Sequence, residues 1–168
     1  ERLNKCMEAG DAREIHLLGC FYSEGAHGLP RNRAKALELW HQAGELGIAK
    51  AYHNIGYAYR TGIGVERDEK KANHYYELAA MGGFATARHN LGNAECRAGN
   101  WDRAIKHYMI AAGGYSDSVK CILHLYKHGH ATKDDYTNAL RAYQKYLDEV
   151  RSEQRDKAAA ADDRYKYY

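Results

Sequence analysis

The sequence predicts an all-α chain, an α-α superhelix (solenoid) of about four helix-turn-helix repeats followed by a C-terminal capping helix. Three observations predict it. The stretch Ala51–Gly83, AYHNIGYAYRTGIGVERDEKKANHYYELAAMGG, recurs on both sides of itself. Moved 36 residues back, Ala72, Tyr76, Ala79 and Gly83 fall on Ala36, Trp40, Ala43 and Gly47; moved forward, Ala51, Asn54, Ile55 and Gly56 fall on Ala87, Asn90, Leu91 and Gly92. A fixed period in the thirties is the signature of stacked helix hairpins, because no single hairpin can bury its apolar face alone. Composition agrees, with one proline, abundant Ala and Leu and no β-branched run, a mixture that favours helix throughout. Apolar residues also recur at three- and four-residue steps, as Ala12, Ile15, Leu18, Gly19 and Tyr22 do, which is the stripe of a helix packed on one side.

The elements follow in order. Residues 1–10, ERLNKCMEAG, read as the end of a preceding partial repeat, and residues 11–150 as the array itself. Asp11 caps a helix to about Glu24; Gly25 and Gly28 break it, and AKALELWHQAGELG forms the second helix, ending between Gly44 and Gly47. The second repeat has its first helix near 49–61 and its second near 68–81, with glycines in TGIGVERDEKK for the positive-φ turn and Asp68 as N-cap. The third has a helix near 85–98, a clipped turn, AGNWD, and a helix from Asp102 through Ile110. Here Ala72 answers to Ala104, an offset of 32, so four residues are missing from the loop. The fourth runs from 116 to 128, turns through HGHATKDD, and continues in a long helix from Tyr136 to about Val150. Residues 151–168, RSEQRDKAAAADDRYKYY, are charged and alanine-rich and read as the capping helix and tail.

Charge and cysteine usage narrow the function. A net charge of +3 points neither to nucleic acid nor to a polybasic membrane anchor. No apolar run approaches the roughly 20 residues of a membrane span, and no signal peptide is visible. The chain starts at Glu1 rather than Met and reads as a piece of a longer protein, so a missing targeting segment carries little weight. Cys6, Cys20, Cys96 and Cys121 are scattered without a C-x-x-C pair, which favours free thiols and a cytoplasmic setting; a Cys6–Cys20 bridge is geometrically open. Fifteen tyrosines against two phenylalanines suit shallow grooves between helices, with rings packed and hydroxyls at an edge.

Recurrent positions explain how the hairpins close. Ala51/Ala87 and Gly56/Gly92 are small so that the first helix can cross its neighbour closely, whereas Leu123 stands at that place in the fourth repeat. Trp40, Tyr76 and Tyr108 are the large knobs, read as core filling the gap to the next repeat rather than as a cofactor box. These residues also carry a family resemblance. Ile55, Gly56, Tyr59, Gly62, Gly64, Val65, Asp68, Lys71, Ala72, Tyr75, Tyr76, Ala79, Ala80 and Gly83 match the pattern of the Sel-1-like repeat family, relatives of the tetratricopeptide repeats. The resemblance covers residues 12–148, and the third and fourth repeats depart from it in their loops. It implies a right-handed solenoid that scaffolds protein complexes and has no catalysis of its own. Some members serve ubiquitin-ligase complexes.

The resemblance also implies that the first helix of each repeat lines a concave groove. Outward positions are then Arg13, His16, Cys20 and Ser23; Lys50, His53, Tyr57 and Arg60; Thr86, His89, Asn93 and Cys96; Asp117, Lys120, His124 and Lys127. His16, His53, His89 and Lys120 hold equivalent places and should form a ladder. Five permanent cations against one carboxylate predict a protein or peptide partner carrying acidic residues; a plain solvated helix face is the alternative. His124, His128 and His130 form the densest histidine cluster, but neither H-E-x-x-H nor a cysteine pair accompanies it, so no metal and no cofactor are expected. No G-x-S-x-G elbow or phosphate loop is present, and a nucleic-acid code would want a more basic groove. The expected molecule is a non-enzymatic adaptor offering a curved surface and no pocket. Its alternatives are the substrate-recruiting part of a larger enzyme, most readily a ubiquitin ligase, and a secreted, disulfide-braced repeat protein whose cysteine pairs this sequence does not provide.

Overall fold

The computed structural model describes residues 11–161; the partial repeat expected at 1–10 and the tail beyond 161 lie outside the described residues. Eight α-helices and no strand are found among them: α1 (Ala12–Glu24), α2 (Arg33–Glu45), α3 (Ala49–Thr61), α4 (Glu69–Met81), α5 (Ala85–Arg97), α6 (Trp101–Ala112), α7 (Ser116–Lys127) and α8 (Lys133–Ala161). They form two compact units, dividing within α5 between Ala94 and Glu95.

In the first unit α1 pairs with α2 and α3 with α4. Short polar side chains start three of these helices. Asp11 Oδ1 accepts from the Arg13 N–H at 2.8 Å, Asn32 Oδ1 from Lys35 at 3.0 Å and Asp68 Oδ1 from Lys71 at 2.9 Å, satisfying donors that the first helical turn leaves open. Gly25 and Gly62 end α1 and α3 in the left-handed region, at φ 74° and 73°. The following loops then return in the same way, Asn32 N–H donating to Tyr22 O and Asp68 N–H to Tyr59 O. Leu39, Ala43, Ala51, Ile55 and Ala79 are sealed from solvent.

The glycine and knob positions meet inside each hairpin. A Cβ built on Gly19 would stand 2.6 Å from Trp40 Cδ1, and one on Gly56 2.7 Å from Tyr76 Cδ1. Each missing side chain is therefore the seat of the aromatic ring opposite. Trp40 also reaches the next hairpin by packing with Ala51 and Ile55. The tyrosine rings stack between helices as their half-burial requires, Tyr59 lying parallel to Tyr75 at 5.7 Å and 4°.

The second unit packs Ile105, Tyr108 and Ala112 of α6 with Val119, Ile122 and Leu125 of α7 and Ala139 of α8. Helix α8 begins before the expected Tyr136 because Thr132 and Asp135 form a reciprocal box. The Thr132 N–H and hydroxyl donate to Asp135 Oδ2 at 2.9 and 2.6 Å, and the Asp135 N–H donates to Thr132 Oγ1 at 3.1 Å. It also runs past the expected stop near Val150 to Ala161 as one helix of 29 residues. No glycine or proline interrupts RSEQRDKAAAA, and Lys145–Glu149 and Glu153–Lys157 pair one turn apart along it.

Candidate binding face and inter-hairpin pockets

His16, His53, His89 and Lys120 are each the fifth residue of α1, α3, α5 and α7. Their surroundings differ from an open ladder. His16 and His89 are only 8% exposed and His53 is half-buried, while Lys120 is exposed. Two of the histidines are bound to the sixth residue of the following first helix. Asn54 Nδ2 donates to His16 Nε2 at 3.1 Å, and Asn90 Nδ2 to His53 Nε2 at 3.2 Å. An amide nitrogen only donates, so each imidazole accepts and is neutral in this arrangement. Burial pushes the pKa of both histidines below the ordinary value, and the Lys50 ammonium adds to the effect; at His53 the Asn54 side chain opposes it and Arg60 reinforces it. These two side chains act as fasteners between α1, α3 and α5, and His53 also packs against the Phe84 ring at 4.9 Å.

The remaining expected contact residues are more open. Arg13, Lys50 and Tyr57 are exposed in the first unit, and Asn93 is half-buried. Arg60 is half-buried, its guanidinium 5.1 Å above the Tyr57 ring while Nε donates to the Tyr76 hydroxyl at 3.3 Å. In the second unit Lys120, His124 and Lys127 are exposed. Lys120 Nζ lies 2.7 Å from Asp117 Oδ1, and the His124 ring is 4.2 Å from that of His128.

The expectation of a surface without pockets fails in both units. An open pocket of about 260 Å³ lies where the end of α1, the outer side of α2 and the middle of α3 meet. Another of about 540 Å³ lies where α5, α6 and α7 meet in the second unit. They occupy the same address in the repeat. Ser23 and Glu24 of the first answer to Cys96 and Arg97 of the second, Arg33 and Trp40 to Trp101 and Tyr108, and Asn54 and Tyr57 to Cys121 and His124. The second is larger because the α5–α6 connection is only residues 98–100, whereas Arg31 from the 25–32 loop walls the first.

The walls differ in chemistry as well. Tyr108 donates or accepts a hydrogen bond with Cys96 Sγ at 3.4 Å; its burial and the contacts with the Cys96 and Cys121 sulfurs drive the phenol pKa far up. Burial likewise pushes the Cys121 thiol up, partly offset by Tyr108. His130 stacks on Trp101 at 4.2 Å and 19°, and His128 Nδ1 is 2.8 Å from His124 O. In the first unit the Trp40 indole N–H is buried and reaches no acceptor at hydrogen-bond distance. It lies toward the Cys20 sulfur, whose pKa burial raises and the indole draws partly back.

Cys20, Cys96 and Cys121 are free thiols, and Cys6 lies outside the described residues. Among the described residues no group of three or more His, Cys, Asp or Glu side chains is placed to hold a metal ion, and no helix is long and apolar enough to cross a membrane. The pocket walls come from three helices at once, so the face of any one helix does not disclose them. The signal available was the clipped AGNWD turn together with the common register of Ser23 with Cys96 and Asn54 with Cys121.

Comparison with known proteins bears on this geometry. Residues 15–48 and 49–84 match the Sel1 repeat family. The chain is 33% identical over 101 residues to the ERAD-associated E3 ubiquitin-protein ligase component HRD3B of Arabidopsis thaliana, covering 60% of this chain and 16% of that protein. It is 39% identical over 75 residues to chitin synthase regulatory factor 3 of Schizosaccharomyces pombe, covering 44% of this chain and 8% of the relative. The chain thus spans a small part of both relatives. Among solved structures, a Sel1 repeat protein from Oxalobacter formigenes superposes with a TM-score of 0.74 at 27% identity, over 88% of this chain and 62% of the other. The protective antigen c5321 of uropathogenic Escherichia coli, which displays an SLR fold, gives 0.73 at 28% identity over 89% and 33%. Residues 15–84 thus match two Sel1 repeats, and the fold is that of the solved Sel1-repeat solenoids.

Proposed function

We propose that the chain is a non-enzymatic adaptor that holds a protein or peptide segment carrying acidic residues against the first helices of its repeats. The observation that carries this reading is the charge left open on that face. In the first unit Lys50 and Tyr57 are exposed beside the half-buried Arg60, and in the second Lys120, His124 and Lys127 are exposed. Asp117 is the single carboxylate that the outward positions contribute, and it neutralises Lys120 alone. The match of residues 15–84 to Sel1 repeats supports an interaction role, since helical solenoids present extended surfaces to other proteins. His16 and His53 serve this function indirectly, by tying α1 to α3 and α3 to α5 through Asn54 and Asn90.

A labelled glutamate-rich peptide, with a lysine-rich one as control, tests the reading by fluorescence anisotropy. The chain should bind the acidic peptide in a salt-dependent way. The Lys50→Glu, Arg60→Glu pair should lose that binding while keeping its helical circular dichroism; unchanged binding would sink the idea. The identity with a ubiquitin-ligase component favours a second reading, that the adaptor recruits substrate within a ligase complex. Ubiquitin transfer co-purifying with the chain from cells, and absent with the double variant, would support that reading.

A further inference from the structure

We propose that the pocket of the second unit is an anchor site, taking one aromatic side chain of a partner peptide whose flanking residues are acidic. The inference rests on the adaptor reading and adds to it a place and a recognition chemistry.

Its volume, about 540 Å³, falls within the roughly 300–1,000 Å³ of ordinary ligand pockets; its counterpart in the first unit, about 260 Å³, does not. The interior is apolar, made by Leu125, the Tyr108 and Trp101 rings and the sulfurs of Cys96 and Cys121. Trp101 is half-buried and already flattened against His130 at 4.2 Å, so a planar wall stands ready for a ring and little ordering remains to be done on binding. The lining carries Arg97 and Lys120 and no carboxylate. Lys120 has Asp117 beside it, whereas Arg97 forms no ion pair among the described residues. A side chain entering this pocket therefore brings its neighbours under an uncompensated guanidinium, which favours acidic flanks. The first unit's pocket has Glu24 at the place of Arg97 and Arg33 at the place of Trp101. The same address there has an arginine in place of the Trp101 ring, and Glu24 breaks the uniform sign.

The test uses the whole chain and three fluorescein-labelled peptides: glutamate-rich with a central phenylalanine, the same peptide with alanine at the centre, and a lysine-rich peptide with the phenylalanine. Anisotropy gives affinity, and N-ethylmaleimide labelling followed by mass spectrometry reports access to Cys96 and Cys121, with Cys20 as internal reference. The acidic phenylalanine peptide should bind about tenfold or more tightly than its alanine analogue and shield both pocket thiols but not Cys20. Arg97→Glu, at an exposed helix end, should weaken it by about tenfold with the fold unchanged. Prior maleimide modification of Cys96 should block it without any mutation. Equal binding of the alanine peptide with both thiols unprotected overturns the anchor and leaves the adaptor reading standing. Equal binding of the lysine-rich peptide overturns the acidic specificity, and no binding of any acidic peptide overturns both inferences.

Discussion

The first two hairpins and the last two use one register to opposite ends. In the first unit asparagine follows the fifth residue of α3 and of α5, while Leu17 does so in α1; the crossing residue is glycine and the knob opposite Gly19 is tryptophan, so neighbouring elements close on one another. In the second unit Lys120, Cys121 and Leu123 stand in the register of His53, Asn54 and Gly56, the knob is Tyr108, and the connection before α6 is three residues, 98–100. The result is a larger, less polar hollow. A repeat keeps its hairpin when the residues inside it are kept, and opens a hollow when the residues facing the next hairpin are altered.

Truncating the knobs should give the largest difference. Trp40→Ala is expected to cost about 3–5 kcal/mol, because the ring fills the space that Gly19 leaves and the hollow it borders, about 260 Å³, is the smaller of the two. Tyr108→Ala should cost about 3 kcal/mol, the low end of that range, since its void opens into a pocket that water can enter. Urea denaturation of the two variants decides; a larger loss for Tyr108→Ala would break the contrast.

The crossing position comes next. Gly56→Ala places a methyl 2.7 Å from the Tyr76 ring and 3.1 Å from the Ala72 carbonyl, and overpacking against backbone should cost about 1–3 kcal/mol. Leu123→Ala, at the same register but half-buried, should cost about 1 kcal/mol through lost apolar area alone. Thermal or urea unfolding that ranks them the other way would show that the close crossing is not what Gly56 provides.

Acid should separate the units further. The folded-state pKa of His16 and His53 lies below 6.5, so above that value both are neutral folded or unfolded and the fasteners are fully present. As pH falls from 6.5 through the lowered folded value, the unfolded chain takes up protons first and stability drains away. Protonation also removes the lone pair that accepts from Asn54 and Asn90. Hydrogen-exchange protection of α1 and α3 should fall over this range, beyond what α6 and α7 lose by this route, because Lys120 holds the equivalent place there. Protection of α1 and α3 that is indifferent to pH would rule out the fastener role.

Much of this was readable in the sequence, for a physical reason. The period, the ends of α1 and α3, the caps Asp11 and Asp68 and the pairing of small with large positions depend on residues within one hairpin, where spacing fixes geometry. Counting around one helix gives the histidines two sides, partner and solvent, whereas a helix in a stack has a third neighbour; His16 turns toward Asn54, 38 residues on. The pockets depend on three elements at once and on the length of a loop that lines only one of them. A change of composition suggests a stop for α8 near Val150, whereas its start lies in the Thr132–Asp135 box and its continuation to Ala161 in the absence of any breaker.

The smallest expected effect concerns the loops that distinguish the two units. Asp68 accepts from the Lys71 N–H at 2.9 Å, so Asp68→Ala leaves a first-turn donor without its partner and should cost about 1 kcal/mol. Asn100 holds the matching place before α6 but makes no capping bond; its side chain instead donates to Glu95 at 2.8 Å, on the exposed side of the clipped turn. Asn100→Ala therefore removes one exposed hydrogen bond and should cost less than about 0.5 kcal/mol. If urea denaturation gave Asn100→Ala the larger loss, the short turn would be held by its own side chain rather than by the packing of Trp101 and Tyr108. The hollow beside it would then exist because the turn is braced, and not because residues were lost from the loop.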